Sequence, residues 1–357
     1  SDDFLFVLRH SVVTVHPMTE KNGYRLPPWG DVDKDSDALV HLRLFLVAVI
    51  WGAAWTSGRH VATNIPPITG AMLRYAIAVP FFLLILAWRE GLLIGGEQRF
   101  GLDLPKGDRL GAIAMIGLFS TLLYQVLFML GMRWTAAGDA SLVITFNPLI
   151  TAVLAVVFLG HRFTSRTAIG LGLGLAGIMI IALGSPNDSI PLRDRLFGDA
   201  MIFLGAGAWA ISTILMKQAM SPTGDKAAMT PLALTTWASV AGLLYLLPLC
   251  LIEVLWTGLP EIELLVWLNL IYLAIISTVI AYVWFAEGVD RIGPDKAALY
   301  VYLVPPFGIL SGWAFLNEQL GIGLLLSFIL IVSGVRIAST ADTSGQTSHE
   351  MVMTAEE

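Results

Sequence analysis

Residues 142–160, LVITFNPLITAVLAVVFLG, and residues 299–317, LYVYLVPPFGILSGWAFLN, decide the fold of this chain. Each is an apolar run without a charged residue. Its length matches the roughly twenty helical residues that cross a hydrocarbon core about 30 Å thick. In lipid every backbone N–H and C=O must be bonded within its own segment, so such a run is read as a helix. The two stretches are also copies. Slid by 157 residues, Leu142 falls on Leu299, Pro148 on Pro305, Phe158 on Phe315 and Leu159 on Leu316.

Working outward, the same slide lays Gly131 on Gly288 and Ala140 on Ala297. Near the start of each half, Ala54-Trp55 matches Ala208-Trp209 at a slightly different offset. Between Leu39 and Ser339, ten apolar runs are separated by short gaps that collect almost all Lys, Arg, Asp and Glu. The spans fall at 43–62, 67–88, 109–131, 138–159, 165–184, 198–218, 231–252, 262–286, 295–316 and 320–338. Each half holds five. Five is odd, so the halves sit upside down relative to each other, an arrangement common in secondary transporters. The expected fold class is an all-α integral membrane protein of ten transmembrane helices, as two inverted five-helix repeats at 39–184 and 197–338. A polar leader, 1–38, precedes them, and a Ser/Thr-rich tail, 339–357, expected to be disordered, follows.

Composition excludes other classes. The chain is 56% hydrophobic and 13% charged, against roughly 25% charged in a soluble domain, and its mean hydropathy is +0.75. A formal charge of −6 offers no basic field for nucleic acid. The single cysteine, Cys250, lies in an apolar run and reads as packing. The six His are scattered, without metal-ligand spacing, and no metal or cofactor is expected. Gly172-Leu-Gly174-Leu-Ala-Gly177 spells a dinucleotide fingerprint but lies inside an apolar helix with no strand before it. Gly170 and Gly174 read better as a small-residue face for close helix packing.

Lys and Arg set the orientation. With both termini cytoplasmic, fourteen basic residues fall inside and only Arg59, Arg133, Arg193 and Arg195 outside. The expected location is the plasma (inner) membrane, multi-pass, with N- and C-termini in the cytoplasm. Near the N-terminus, FLFVL at residues 4–8 is too short for a signal sequence and follows acids rather than bases. The polar segment from Met18 suits a cytosolic leader, and Met18 is expected to be the native start, with 1–17 as upstream sequence.

Residues 48–84, AVIWGAAWTSGRHVATNIPPITGAMLRYAIAVPFFLL, resemble the opening of an EamA-type protein of the drug/metabolite transporter superfamily. Trp51-Gly52, Pro66-Pro67 and Arg74 occupy that family's places for an early Trp-Gly, a Pro pair and an Arg inside the second helix. Each family repeat closes with Pro, about ten apolar residues and Leu-Gly-Glu. Pro305 to Leu316-Asn317-Glu318 is similar, and Pro148 to Leu159-Gly160-His161 fits except that His161 replaces the Glu. The resemblance covers residues 40–338. It implies a ten-helix permease that exports amino acids or related metabolites.

Several residues are candidates for substrate. Pro148 and Pro305 lie well inside their spans, where each removes a helix hydrogen bond. Broken helices line transporter sites, so the pair reads as hinges, with packing kinks as the alternative. Beside them stand Thr145, Asn147, Tyr300 and Tyr302. A mid-bilayer Asn147 needs a partner, either substrate or a neighbouring helix. Arg74 is the one formal charge deep in a span. It can fork onto a carboxylate or phosphate, or bond carbonyls as scaffold; the resemblance favours scaffold. Among the aromatics, Trp55, Tyr124, Trp209 and Tyr282 join Tyr300 and Tyr302 as candidates to stack a ring or cage a cation, against the alternative of helix packing. Asp139, Glu287, Asp295 and Glu318 all sit near span ends. Without a mid-depth acid, facilitated diffusion or exchange is favoured over proton antiport.

The leading reading is a secondary transporter of a small metabolite, by alternating access through a central cavity. Amino acids are the best single substrate class; nucleosides, vitamins and cationic drugs are the alternative. An intramembrane enzyme would need paired catalytic residues or metal ligands at depth. A non-transporting scaffold would usually carry an extramembrane domain. The partners expected are a small-molecule substrate and the lipid bilayer, not nucleic acid; monomer and homodimer are both open.

Overall fold

The structure, a computed structural model, describes residues 37–89, 107–159, 163–220, 229–292 and 294–353. The leader as far as residue 36, with Met18, and His161 lie outside the described residues. The elements are helices, and no strand occurs among the described residues. They run α1 (Asp37–Asn64), α2 (Pro67–Arg89), α3 (Asp108–Gly117 continued through Tyr124–Trp134), α4 (Ala137–Val143 continued through Asn147–Leu159) and α5 (Ser165–Gly184). The second set is α6 (Leu192–Met220), α7 (Pro231–Thr257), α8 (Leu264–Ile271 continued through Ala281–Ile292), α9 (Pro294–Val301, then Val304–Leu316) and α10 (Ile322–Met353). Nine of the described helices are long and apolar enough to cross a membrane, and the shorter apolar stretch Ile322–Ala338 makes the tenth span.

The packing obeys the repeat. α3 lies on α6, and its counterpart α8 lies on α1; α4 lies on α6, and α9 on α1. The pairs α2–α7, α4–α9 and α5–α10 map onto themselves. A two-fold axis in the membrane plane requires both kinds of contact. Large side chains such as Leu84, Leu183, Leu255 and Phe315 stay exposed, as a lipid-facing surface should. The buried core runs from Trp55 and Tyr75 through Phe128, Met129 and Phe146 to Leu270 and Leu273.

The small-residue face divides between two neighbours. A Cβ at Gly174 would strike Phe146 and Leu149 of α4, whereas one at Gly170 would strike the Gly334 carbonyl and one at Gly177 would strike Ile331 and the Ser327 carbonyl. So α5 and α10 meet backbone to backbone. At Gly172 a Cβ would meet nothing within 4 Å, so that residue of the fingerprint has no packing role.

Several boundaries differ from the sequence expectation. α1 is longer than 43–62, and α6 begins at Leu192 rather than 198. The added turn of α6 carries Arg193, Asp194 and Arg195. Hydropathy reads charges as loop, but Arg195 is buried among protein partners. The last helix also continues to Met353, into the segment expected to be a disordered tail. Residues 340–353 hold one Gly and no Pro, so little stops a formed helix from propagating.

Candidate functional site

The helix line of α3 widens to a π-helix at Leu118–Leu123, and that of α8 at Tyr272–Ile280. These are repeat-related places. On the 157-residue slide, Ser120-Thr121 falls on Ser277-Thr278, and both pairs lie in the widened turns. Such turns loosen the backbone and frequently mark functional sites. Here they present polar atoms to the bundle interior. The Thr278 hydroxyl donates to the Leu273 carbonyl at 2.7 Å, and the Ser277 carbonyl accepts from Trp51 Nε1 at 3.0 Å.

Arg74 meets that surface. It is 7% exposed, and its Nε and Nη2 donate to Thr278 Oγ1 at 3.1 and 2.8 Å. Its Nη1 donates to Gln125 Oε1 at 3.1 Å, and Gln125 Nε2 donates on to the Tyr75 hydroxyl at 3.3 Å. Its guanidinium stands 5.8 Å from the Phe128 ring centre. All these partners are neutral; among the described residues no carboxylate pairs with it. A guanidinium has five N–H donors, and these three bonds leave two of them over.

An unbroken line of rings passes beside it. Trp55 touches Phe128 at 5.2 Å, Phe128 Tyr124 at 6.1 Å, and Tyr124 Trp209 at 5.1 Å. Trp209 meets Tyr282 at 6.2 Å, and Tyr282 meets Trp51 at 5.6 Å. Helices α1, α3, α6 and α8 each contribute. A cavity of about 30 Å³ opens against this line, with Tyr75, Ser120, Trp209, Ser239, Thr278 and Tyr282 in its wall. That is room for water but not for a metabolite.

The sequence candidates divide. Trp55, Tyr124, Trp209, Tyr282 and Arg74 are brought together, though Trp55 is almost wholly buried against Phe128. Thr145, Asn147, Tyr300 and Tyr302 are not part of the ring line. Thr145 donates to the Ser141 carbonyl, and Asn147 Oδ1 accepts from Thr151, both within α4. The Tyr300 hydroxyl and His41 Nδ1 are 2.6 Å apart, where α9 meets α1. Tyr302 is half-buried against the main core. Pro148 and Pro305 do break their helices, and at matching places. α4 tightens to a 3-10 turn at Ile144–Phe146, and α9 is interrupted at 302–303. A proline ring excludes the carbonyl four residues back, here that of Ile144 and of Val301.

One end of the bundle is sealed by glutamates that cross between repeats. Asn317, in the left-handed conformation at φ 55°, ends α9 and turns Glu318 back. Glu318 then accepts the Ala137 and Gly138 N–H groups at 2.6 and 3.0 Å, capping α4. Arg59 of α1 approaches the same carboxylate at 3.6 Å. Glu253 of α7 caps α2 in the same manner, through the Ile68 and Thr69 N–H groups at 3.1 and 2.6 Å. An anionic oxygen on the free N–H groups of a helix start is favourable in both hydrogen bonding and dipole. At the other end α1 is held by the His41–Tyr300 contact and a half-exposed Arg43–Glu287 pair at 3.5 Å.

Sequence reasoning missed Gln125, Thr278 and the capping glutamates. The Ser-Thr pairs were visible on the slide already used. The caps carry no local signal, because each joins residues about 180 positions apart.

The model of the EamA-like transporter family matches residues 39–183 and again 196–340. The uncharacterized transporter YyaM of Bacillus subtilis is 24% identical over 303 residues, 84% of this chain and 94% of its own. An uncharacterized transporter of Archaeoglobus fulgidus is 26% identical over 294 residues, 82% of this chain and 96% of its own. A probable terminal-alkyne amino-acid exporter of Streptantibioticus cattleyicolor is 26% identical over 218 residues, 61% of this chain and 69% of its own. A solved structure shares the fold at a TM-score of 0.53 and 19% identity, over 85% of this chain and 97% of its own.

Proposed function

The chain belongs to the EamA-like transporter family, and from that premise we propose that it exports an amino acid or a closely related carboxylate by alternating access. Its family and relatives are transporters, not enzymes, and it is a multi-pass membrane protein. One observation carries the substrate class. Arg74 is buried in the bundle with neutral partners and two N–H groups to spare, beside a line of aromatic rings. An uncompensated charge at that depth is costly, and a substrate carboxylate relieves it with a forked pair of bonds. Tyr124, Trp209 and Tyr282 would take the rest of an amphipathic molecule, with Trp55 behind them. A cationic drug fits the rings but not the guanidinium.

Thr145, Asn147, Tyr300 and Tyr302 flank the breaks at Pro148 and Pro305. In this proposal they come to the substrate only when α4 and α9 bend at those hinges. The Lys and Arg distribution supports both termini in the cytoplasm and the Glu318 end outside, in a plasma membrane. The relative named as a probable terminal-alkyne amino-acid exporter adds support for the substrate class. Counterflow in proteoliposomes, loaded in turn with amino acids, nucleosides and organic cations, tests the reading. Saturable exchange of amino acids that Arg74→Gln abolishes is the expected result. Exchange confined to nucleosides or cations, or none with any class, overturns it.

A further inference from the structure

The Glu318 end holds more buried acid than base. Asp139, in the first turn of α4, has no exposed surface, while Asp199 and Arg195 on α6 are 6% and 4% exposed. Glu318 and Arg59 complete the set. Three carboxylates thus face two guanidinium groups. Glu318 is well served as an anion, by two N–H groups and by Arg59. The aspartates are not. Asp139 Oδ1 accepts from Asn187 Nδ2 at 3.4 Å, and Asp199 Oδ1 from Thr135 Oγ1 at 2.5 Å. The Oδ2 of each is buried with no hydrogen-bond partner. Arg195 Nε stands 4.0 Å from Asp139 Oδ2, too far for a bond. Asp199 and Glu318 both bring like charge to Asp139, against the Ser185 hydroxyl and the charge of Arg195.

The remaining charged groups near this end are wetter. His60 of α1, Asp194 of α6 and Glu253 of α7 are partly exposed; Arg133 of α3, Asp188 of the α5–α6 connection, Arg193, Glu261 and Glu263 are exposed. Water and salt screen such charges from the buried set. α5 and α10 bring no titratable side chain here among the described residues.

A buried carboxylate oxygen that no donor reaches is costly to leave charged, and a proton neutralises it. We propose that the Asp139–Asp199 pair binds one proton, and that the Glu318 end closes on that proton and opens by losing it. With the proton the five groups are neutral; without it they hold one uncompensated negative charge. Parting α4 from the α9–α10 turn admits water to the two Oδ2 atoms, which then ionise. The site lies at span ends, where the sequence suggested no coupling group.

Accessibility of one cysteine tests this without knowledge of the substrate. Ser141 lies one turn beneath the capped end of α4, packed against Gly308 of α9. In a Cys250→Ala background, Ser141→Cys is labelled with a bulky hydrophilic maleimide in nanodiscs, from about pH 5 to about pH 8.5. Rates are corrected for the thiolate fraction with a free-thiol standard. The corrected rate is expected to rise with pH, by at most about tenfold per unit, the limit for one linked proton. Asp139→Asn and Asp199→Asn keep the shape and the observed acceptor, and each should hold the rate at its low-pH value throughout. A corrected rate independent of pH in the parent overturns the proposal. So does either variant that keeps the parent's pH dependence or is open at every pH. Either failure leaves the amino-acid reading to its own counterflow test.

Discussion

The Arg74 guanidinium hangs by two of its N–H groups from one hydroxyl, that of Thr278, at 3.1 and 2.8 Å. That hydroxyl spends its own proton on the Leu273 carbonyl inside the π-turn of α8. Thr278→Val keeps the shape and removes the acceptor. It should destabilise the protein by about 1.5–3 kcal/mol, the range for a lost bond to a charged group. A lowered unfolding midpoint in detergent, with exchange activity falling in parallel, is the expected outcome.

Trp209 and Trp55 should respond differently to truncation. Trp209 is half-buried in the cavity wall, whereas Trp55 is 5% exposed against Phe128. Trp55→Ala empties a packed site and should cost about 3–5 kcal/mol. Trp209→Ala should instead lower counterflow at least about tenfold, as loss of roughly 1.4 kcal/mol of substrate contact requires, with little change in melting. The comparison is read by running both assays on both purified variants.

At the α5–α10 contact, Gly170→Val drives a side chain into the Gly334 carbonyl. Overpacking of this kind costs about 1–3 kcal/mol, and backbone contact puts this site at the upper end. Gly172→Ala, with nothing within 4 Å of its new Cβ, should be neutral or stabilising by up to about 1 kcal/mol through helix propensity. Thermal unfolding of the pair checks whether the glycine pattern is packing.

Replacing both Pro305 and Pro306 by Ala restores the N–H groups opposite the Val301 and Tyr302 carbonyls and lets α9 run straight. Its melting temperature should rise while exchange slows, because the break at 302–303 is filled. Pro148→Ala should do the same in α4, where the 3-10 turn at Ile144–Phe146 marks the matching place. Faster exchange in either variant would refute a hinge role.

Spans, repeats and breaks were legible because each rests on a regular signal: apolar length, a fixed slide, a proline. The gathering of Tyr124, Trp209 and Tyr282 was legible only as a list of aromatics, since ring contacts join α3, α6 and α8. For Asn147 a partner in substrate or on a neighbouring helix was expected; its Oδ1 accepts from Thr151, one turn on in the same helix. The buried charges were hidden for a different reason. Hydropathy assigns Arg195 and Asp199 to a span boundary, yet both are buried in protein. Whether a charge at a helix end faces water or a neighbour depends on tertiary contacts that no local window contains.

The glutamate caps make the two ends of the molecule unequal. Counted from the prolines that start α2 and α7, Glu253 stands at the place of Arg89; on the 157-residue slide, Glu318 stands at the place of His161. Arg has no acceptor atom and neutral His has one, where a carboxylate offers two oxygens. At these two positions the first repeat does not offer the paired oxygens with which Glu318 and Glu253 hold helix starts. The two repeats are alike in shape but unlike in their caps: the glutamates that hold the starts of α2 and α4 both come from the second repeat.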